Sequence, residues 1–147
     1  MNEFTENRTL HCRGVALKMQ TEGGKLGLDP NEAFLVGWLH DAGYSCGDNR
    51  THAKQAGLLL KRNGYRYWKE VYSHGTPEGL FSSMGVLLNI ADMSINSQGD
   101  EVSFGKRLED VISRYGAESL QYKECSEMIS LLVKTPEWKT IVKSTDD

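Results

Sequence analysis

One stretch, Asp29-Pro30-Asn31-Glu32-Ala33-Phe34-Leu35-Val36-Gly37-Trp38-Leu39-His40-Asp41-Ala42-Gly43-Tyr44, constrains the fold of this chain more than any other. Asp29 is a good N-cap, Pro30 suits the first helical position, and Glu32 stands three residues after the cap, so the segment opens as a helix whose free N–H groups are answered locally. Apolar residues then occupy nearly every face, and a helix that is apolar all round is expected in the middle of a protein. Its far end carries His40 and Asp41. A carboxylate at the end of a buried helix is costly unless a cation meets it, and the free carbonyls at a helix C-terminus also favour positive charge. A metal ion answers both needs. Gly43 then lets the chain turn away.

The rest of the chain reads as helices punctuated by Gly, Asn and Pro, with no convincing alternating strand. A first helix is expected from about Thr9 to Thr21, ended by Glu22-Gly23-Gly24. After the central helix, Tyr44 to Arg50 reads as a loop and Thr51 as the cap of a helix ending near Asn63-Gly64. A short aromatic helix is expected over Tyr65 to His74 and a long apolar one over Leu80 to Ile95, followed by the turn Asn96-Ser97-Gln98-Gly99-Asp100. Ser103 opens an amphipathic helix that Gly116 stops, and two more, about Ala117 to Lys134 and Glu137 to Lys143, meet at Thr135-Pro136. Without a repeat or linker, the expectation is one all-α domain over residues 1–147, a compact helical bundle with its core at about 9–96 and C-terminal helices at about 103–143.

Composition narrows the partners. With 17 Lys and Arg against 20 Asp and Glu, and no dense basic patch, a nucleic-acid polymer is not the expected ligand. The apolar runs around Ala33 to Leu39 and Met84 to Ile90 fall far short of the ~20 residues that span a bilayer, and Met1 to Thr9 lacks the apolar core of a secretory signal. Cys12, Cys46 and Cys125 have no paired ligand spacing and read as reduced thiols of a cytoplasmic protein.

The four histidines and two aspartates carry the chemistry. His11 lies early in the first helix, His40 and Asp41 end the central one, His52 begins the next, His74 follows the aromatic helix, and Asp92 sits near the end of the long apolar helix. Singly, a histidine at a helix end is more often exposed or hydrogen-bonded than a ligand, and His74 before Gly75 suits a helix C-terminus on electrostatic grounds alone. Asp92, among Ile90, Ala91 and Met93, is in a setting that asks for a partner. Helix ends of a bundle can converge on one pocket, so the joint placement outweighs each residue alone.

The order His11, His40-Asp41, Asp92 resembles the HD superfamily of metal-dependent phosphohydrolases, and His52 and His74 resemble the extra pair of its two-metal subset, which includes bacterial diadenosine-tetraphosphate hydrolases. The local texts are similar too: His11-Cys12-Arg13-Gly14-Val15-Ala16, Leu39-His40-Asp41-Ala42-Gly43-Tyr44, His52-Ala53-Lys54-Gln55-Ala56-Gly57 and Ile90-Ala91-Asp92-Met93. The likeness covers about Thr9 to Asn96, and Asp92 to Gly116 is further similar to small bacterial HD proteins. It implies an HD-type fold in which His11, His40, Asp41 and Asp92 hold one ion, while Asp41 bridges to a second held by His52 and His74. Asp41 and Asp92 are then the catalytic carboxylates. Imidazole with carboxylate suits Fe, Mn, Co, Ni or Zn, and two divalent ions, Fe or Mn foremost, are the expected cofactors.

The implied reaction is hydrolysis of a phosphoester or phosphoanhydride, in a nucleotide or other phosphorylated small molecule, by a metal-activated hydroxide. A homo-oligomer is compatible with the pattern. Alternatives on the same ligands are a mixed-valent di-iron oxygenase and a non-catalytic metal-containing nucleotide-binding module. Where several relatives have Lys three residues after the Asp, this chain has Tyr44, which can donate a hydrogen bond but brings no charge. Lys18, Lys54 and Arg107 are the other candidates for the substrate's phosphate, and Glu70 is a candidate to orient His74. Tyr65, Tyr67, Trp68 and Tyr72 are expected to pack as core rather than stack bases, and Gly14, Gly37, Gly57 and Gly85 to mark close helix approaches.

Overall fold

The computed structural model describes residues 3–41 and 52–146, and side-chain surroundings over 8–41 and 52–143. The fold is all-α and compact. Among the described residues there are eight helices and no strand: α1 (Glu3–Lys25), α2 (Pro30–Leu39), α3 (His52–Arg62), α4 (Trp68–Tyr72), α5 (Ser83–Ser94), α6 (Phe104–Tyr115), α7 (Leu120–Leu132) and α8 (Pro136–Asp146). A short 3-10 turn, Pro77–Phe81, precedes α5, and one isolated bridge joins Ile95 to Glu101. The loop expected over Tyr44 to Arg50, with its Tyr44 and the Thr51 cap, lies outside the described residues.

Local chemistry explains most of the boundaries. Asp29 caps α2 by accepting from the N–H groups of Asn31 and Glu32 at 2.8 and 3.1 Å. Ser103 and Ser119 cap α6 and α7 in the same way, and Gly116, at φ +97°, closes α6 where a side chain would be strained. The long apolar helix begins later than its sequence suggests. Pro77–Phe81 is wound as a 3-10 turn, and Ser82 caps α5 by accepting from the Gly85 N–H at 3.1 Å.

Two expectations are corrected. The first helix runs from Glu3 to Lys25, straight through Gly23 and Gly24. A Cβ on Gly23 would lie 3.0 Å from that of Ala33, so contact with α2 at this point offsets the poor helical propensity of glycine. Nor is α2 the hub: only Ala33, Val36 and Gly37 of it are buried, and Leu35 and Trp38 are 46% and 41% exposed. The hub is α5, in which ten of twelve residues are buried. Apolar character on every face sets what a helix can bury, whereas the number of neighbours decides what it does bury.

The core gathers Val15 and Met19 of α1, Ala33 and Val36 of α2, Val71 of α4, Leu87, Leu88 and Ile90 of α5 and Leu132 of α7. Tyr65, Tyr67 and Trp68 pack against it, as expected of an aromatic face without a base to stack on. Of the four glycines expected at close helix approaches, Gly37 and Gly57 lie at them, while Gly14 faces the turn at Gly99 and Gly85 the 3-10 turn at Gly79. A Cβ on Gly37 would lie 2.7 Å from the Ala16 Cα, and one on Gly57 2.4 Å from the Tyr72 Cβ, so α1 meets α2 and α3 meets α4 nearly backbone to backbone. Of these helices, α1 and α3 carry His11 and His52, and α2 and α4 lead into His40 and His74.

Candidate metal centre

The six predicted ligands come together. Donor atoms of His11, His40 and Asp41, of His40, His74 and Asp92, and of Asp41, His52 and His74 each lie within 4.8 Å of one another. His11 Nε2 is 2.8 Å and His40 Nε2 3.2 Å from Asp92 Oδ1. Asp41 faces two ways. Its Oδ2 is 3.3 Å from His40 Nε2 and 3.9 Å from His11 Nε2, while its Oδ1 is 3.3 Å from His52 Nε2 and 3.9 Å from His74 Nε2. Bonds of about 2.1 Å from one ion to two neighbouring ligands separate the donors by roughly 3 Å, the range most of these atoms already occupy.

The backbone sets the imidazole tautomers. His11 Nδ1 faces the carbonyl of Asn96 at 3.2 Å, His40 Nδ1 that of Gly37 at 2.6 Å, and His74 Nδ1 that of Val71 at 2.5 Å. A carbonyl can only accept, so each Nδ1 carries a proton and each Nε2 turns its lone pair inward. The Asn96 carbonyl is held in place because the 96–100 turn sits against α1. A Cβ on Gly14 would be 2.8 Å from the Gly99 carbonyl oxygen, and one on Gly99 2.6 Å from that of Leu10.

Inward lone pairs opposite carboxylate oxygens repel unless a cation lies between them. Burial, the largest single influence, favours neutral His40, but Asp41 and Asp92 outweigh it and raise its pKa from 6.5 to about 9. Burial likewise opposes the Asp41 anion, yet His40 and the contact with His52 hold its carboxyl well below the usual range. Asp92 is lowered against burial by His40 and His11. Burial pushes His74 down, helped by His40. A proton on His40 therefore answers part of the cluster and leaves the buried Nε2 of His74 without a hydrogen-bond partner. A metal ion answers both, so the residues present fit one. Cys12, also buried beside the cluster, stays a thiol, because burial first and Asp41 next push it up to about 12.

The site has a floor and a mouth. The side chains of His40, His74 and Asp41 are 0%, 2% and 3% exposed, whereas those of Asp92 and His52 are 21% and 24% exposed. Arg8, 28% exposed, stands at that mouth with Nη1 2.5 Å from Asp41 Oδ2. Sequence reasoning missed Arg8. Its signal was its place three residues before His11, on the same face of a helix expected to begin only at Thr9.

The other candidates are dispersed. Lys18 pairs with Glu101 and lines a groove of about 540 Å3 with Phe104 and Trp138, whose walls include none of the six clustered residues. Arg107 reaches the carbonyl of Ile95 at 3.5 Å, and Lys54 is exposed on α3. Tyr44 lies outside the described residues. Glu70 does not orient His74: its carboxylate accepts from Ser82 Oγ at 3.0 Å, while the Val71 carbonyl takes the His74 ring.

Comparison of the chain with family models, with curated proteins and with solved structures found no match. No described helix is long and apolar enough to cross a membrane. The protein has a helical fold with a buried His and Asp cluster that could hold a metal, an arrangement compatible with an HD-type site.

Proposed function

We propose that this cluster holds two divalent transition-metal ions, Mn or Fe foremost, and that the protein is an HD-type phosphohydrolase acting on a phosphoester or phosphoanhydride of a small molecule, a nucleotide first among them. The observation that carries it is the division of Asp41. One carboxylate oxygen faces His11 and His40, the other faces His52 and His74, and Asp92 stands across from the first pair. A carboxylate with separate imidazole pairs on its two oxygens suits a bridging ligand. Ions bound there would supply acidified water and positive charge against phosphate oxygens.

The chain's own residues do the rest. His11, His40 and His74, each anchored through Nδ1 to a carbonyl, hold their Nε2 atoms in place before anything binds, which lowers the cost of organising the site. Asp92 and His52 border the open side, so substrate enters there. Arg8 stands on that side with a guanidinium able to grip two phosphate oxygens at once, and it takes the anion-holding role that Tyr44 cannot fill with charge.

The test is a panel of nucleotides, dinucleotides and generic phosphoesters presented to protein stripped with chelator and reloaded with Mn or Fe(II). Phosphate release that needs metal and is lost in Asp41→Ala supports the assignment. Oxygen consumption in its place, or tight nucleotide binding without turnover, would replace hydrolysis with a different use of the same ligands.

A further inference from the structure

At five residues, α4 is too short to hold its own shape in water, yet the His74 ring just beyond it must reach Asp41. Its position therefore comes from ties to neighbouring helices. One is the contact of Gly57 with Tyr72, and another is the bond from Ser82 to Glu70. The third is Asn89.

Asn89 is 1% exposed, in the middle of the otherwise largely apolar α5. Both halves of its amide are used: Oδ1 accepts the Gly75 N–H at 2.7 Å, and Nδ2 donates to the Gly85 carbonyl at 2.8 Å. Gly75 directly follows His74 and has φ +87°, so it is the residue on which the chain turns after delivering the ring. Asn89 also stands three residues before Asp92, on the same face of α5. One side chain thus links the turn beyond His74 to the helix that presents Asp92. The chain is drawn tightly round this link, since a Cβ on Gly79 would lie 2.7 Å from the Ser73 carbonyl oxygen and 3.1 Å from Asn89 Nδ2. Leucine would fill similar space with better helical propensity and no polar group to satisfy, so an amide bonded at both its oxygen and its nitrogen here serves geometry more than burial.

We propose that Asn89 is a positioning residue for His74, which sets the affinity of the seat formed by Asp41 Oδ1, His52 and His74 separately from the seat at Asp41 Oδ2. The proposal rests on the two-ion assignment above. With the amide gone, Gly75 loses its anchor, His74 Nε2 drifts from Asp41, and one seat weakens while the other keeps its ligands.

The test is Mn binding to the full, chelator-stripped chain, followed by calorimetry and by the electron paramagnetic resonance of free Mn. The samples are wild type, Asn89→Leu, His74→Ala and the double variant, with helical content checked by circular dichroism. Two binding steps are expected in wild type. Asn89→Leu should weaken one of them at least about tenfold, the effect typical of a residue that supports a ligand, and leave the other within about twofold. In the His74→Ala background, Asn89→Leu should change the remaining step less than about twofold. If Asn89→Leu does not fold, Asn89→Ala, which cuts the same two bonds, gives the same comparison. Both steps intact in a folded Asn89 variant, or both weakened alike, would overturn the proposal alone. A single ion in wild type would overturn the two-ion assignment and this proposal with it.

Discussion

Adding one methyl group at Gly57 should loosen the protein and its metal centre together. A Cβ there would lie 2.4 Å from the Tyr72 Cβ, 2.5 Å from its Cα and 2.8 Å from its N. Two of these three atoms are backbone, so no side-chain rotation relieves the overlap. Restoring ordinary contact at about 3.4 Å moves α3 and α4 apart by about 1 Å, and overpacking of this kind costs about 1–3 kcal/mol. Better helical propensity of Ala over Gly returns up to about 1 kcal/mol, which leaves Gly57→Ala less stable by an amount centred on about 1–2 kcal/mol. For a chain of this size that is a fall in Tm of roughly 2–8 °C. Because His52 begins α3 and His74 follows α4, the same displacement exceeds the ~0.2 Å tolerance of a metal–ligand bond, so Mn affinity should fall as well. Gly24→Ala is the control: nothing lies within 4 Å of its Cβ position, and that variant should match wild type or gain up to about 1 kcal/mol. Thermal unfolding of both variants with and without Mn decides the matter. A Gly57→Ala protein as stable as Gly24→Ala, with wild-type metal affinity, would mean that neither the fold nor the metal centre depends on this close approach of α3 and α4.

Removal of a central ligand should remove the stabilisation that metal confers: at an Mn concentration 100 times Kd wild type gains about 2.7 kcal/mol for each ion bound, and His40→Ala or Asp41→Ala should show little of that gain in a melting assay. Arg8→Ala should leave metal content unchanged while weakening inhibition by inorganic phosphate roughly tenfold or more, the weight of a charge-assisted bond; an unchanged inhibition constant would remove Arg8 from the anion site. The metal-free chain should have a pH optimum. His40, raised from 6.5 to about 9, contributes stability that is full below pH 6.5 and lost as pH rises through about 9. The acid side is limited by His74, which is lowered and so takes up its proton more readily when unfolded, and by Asp41 and Asp92, whose contribution is lost as they are protonated. Melting temperatures from pH 5 to 9.5 should show both limbs, and Mn should abolish the alkaline one; equal stability at pH 6.5 and 9.5 without metal would contradict this.

The helical class and several boundaries were legible because they depend on local chemistry. Asp29-Pro30, Ser103 and Gly116 each act on the backbone within a few residues of themselves, so their roles survive without knowledge of the fold. The His and Asp cluster was legible for a different reason. There are only four histidines, and His40, Asp41 and Asp92 each stand at or near the end of an apolar segment, where burial without a cation is costly. What stayed hidden depends on neighbours far along the chain. The exposure of Leu35 and Trp38 follows from what packs on α2, and the passage of α1 through Gly23 and Gly24 follows from contact with Ala33. Glu70 looked placed to orient His74 at one helical turn, but Ser82 claims it. Arg8 was lost with the early start of α1, and Asn89 is an amide whose importance appears only when Gly75 is seen to hang from it.

Elemental analysis of protein purified without chelators, beside Asp41→Ala prepared in the same way, reads out whether Asp41 joins two metal ions. About two equivalents of transition metal per wild-type chain, falling to a small fraction in a variant that still folds, is the predicted result for a bridging carboxylate. Wild type without bound transition metal that takes up none when Mn or Fe(II) is supplied, or an Asp41→Ala chain with the same metal content as wild type, would contradict it.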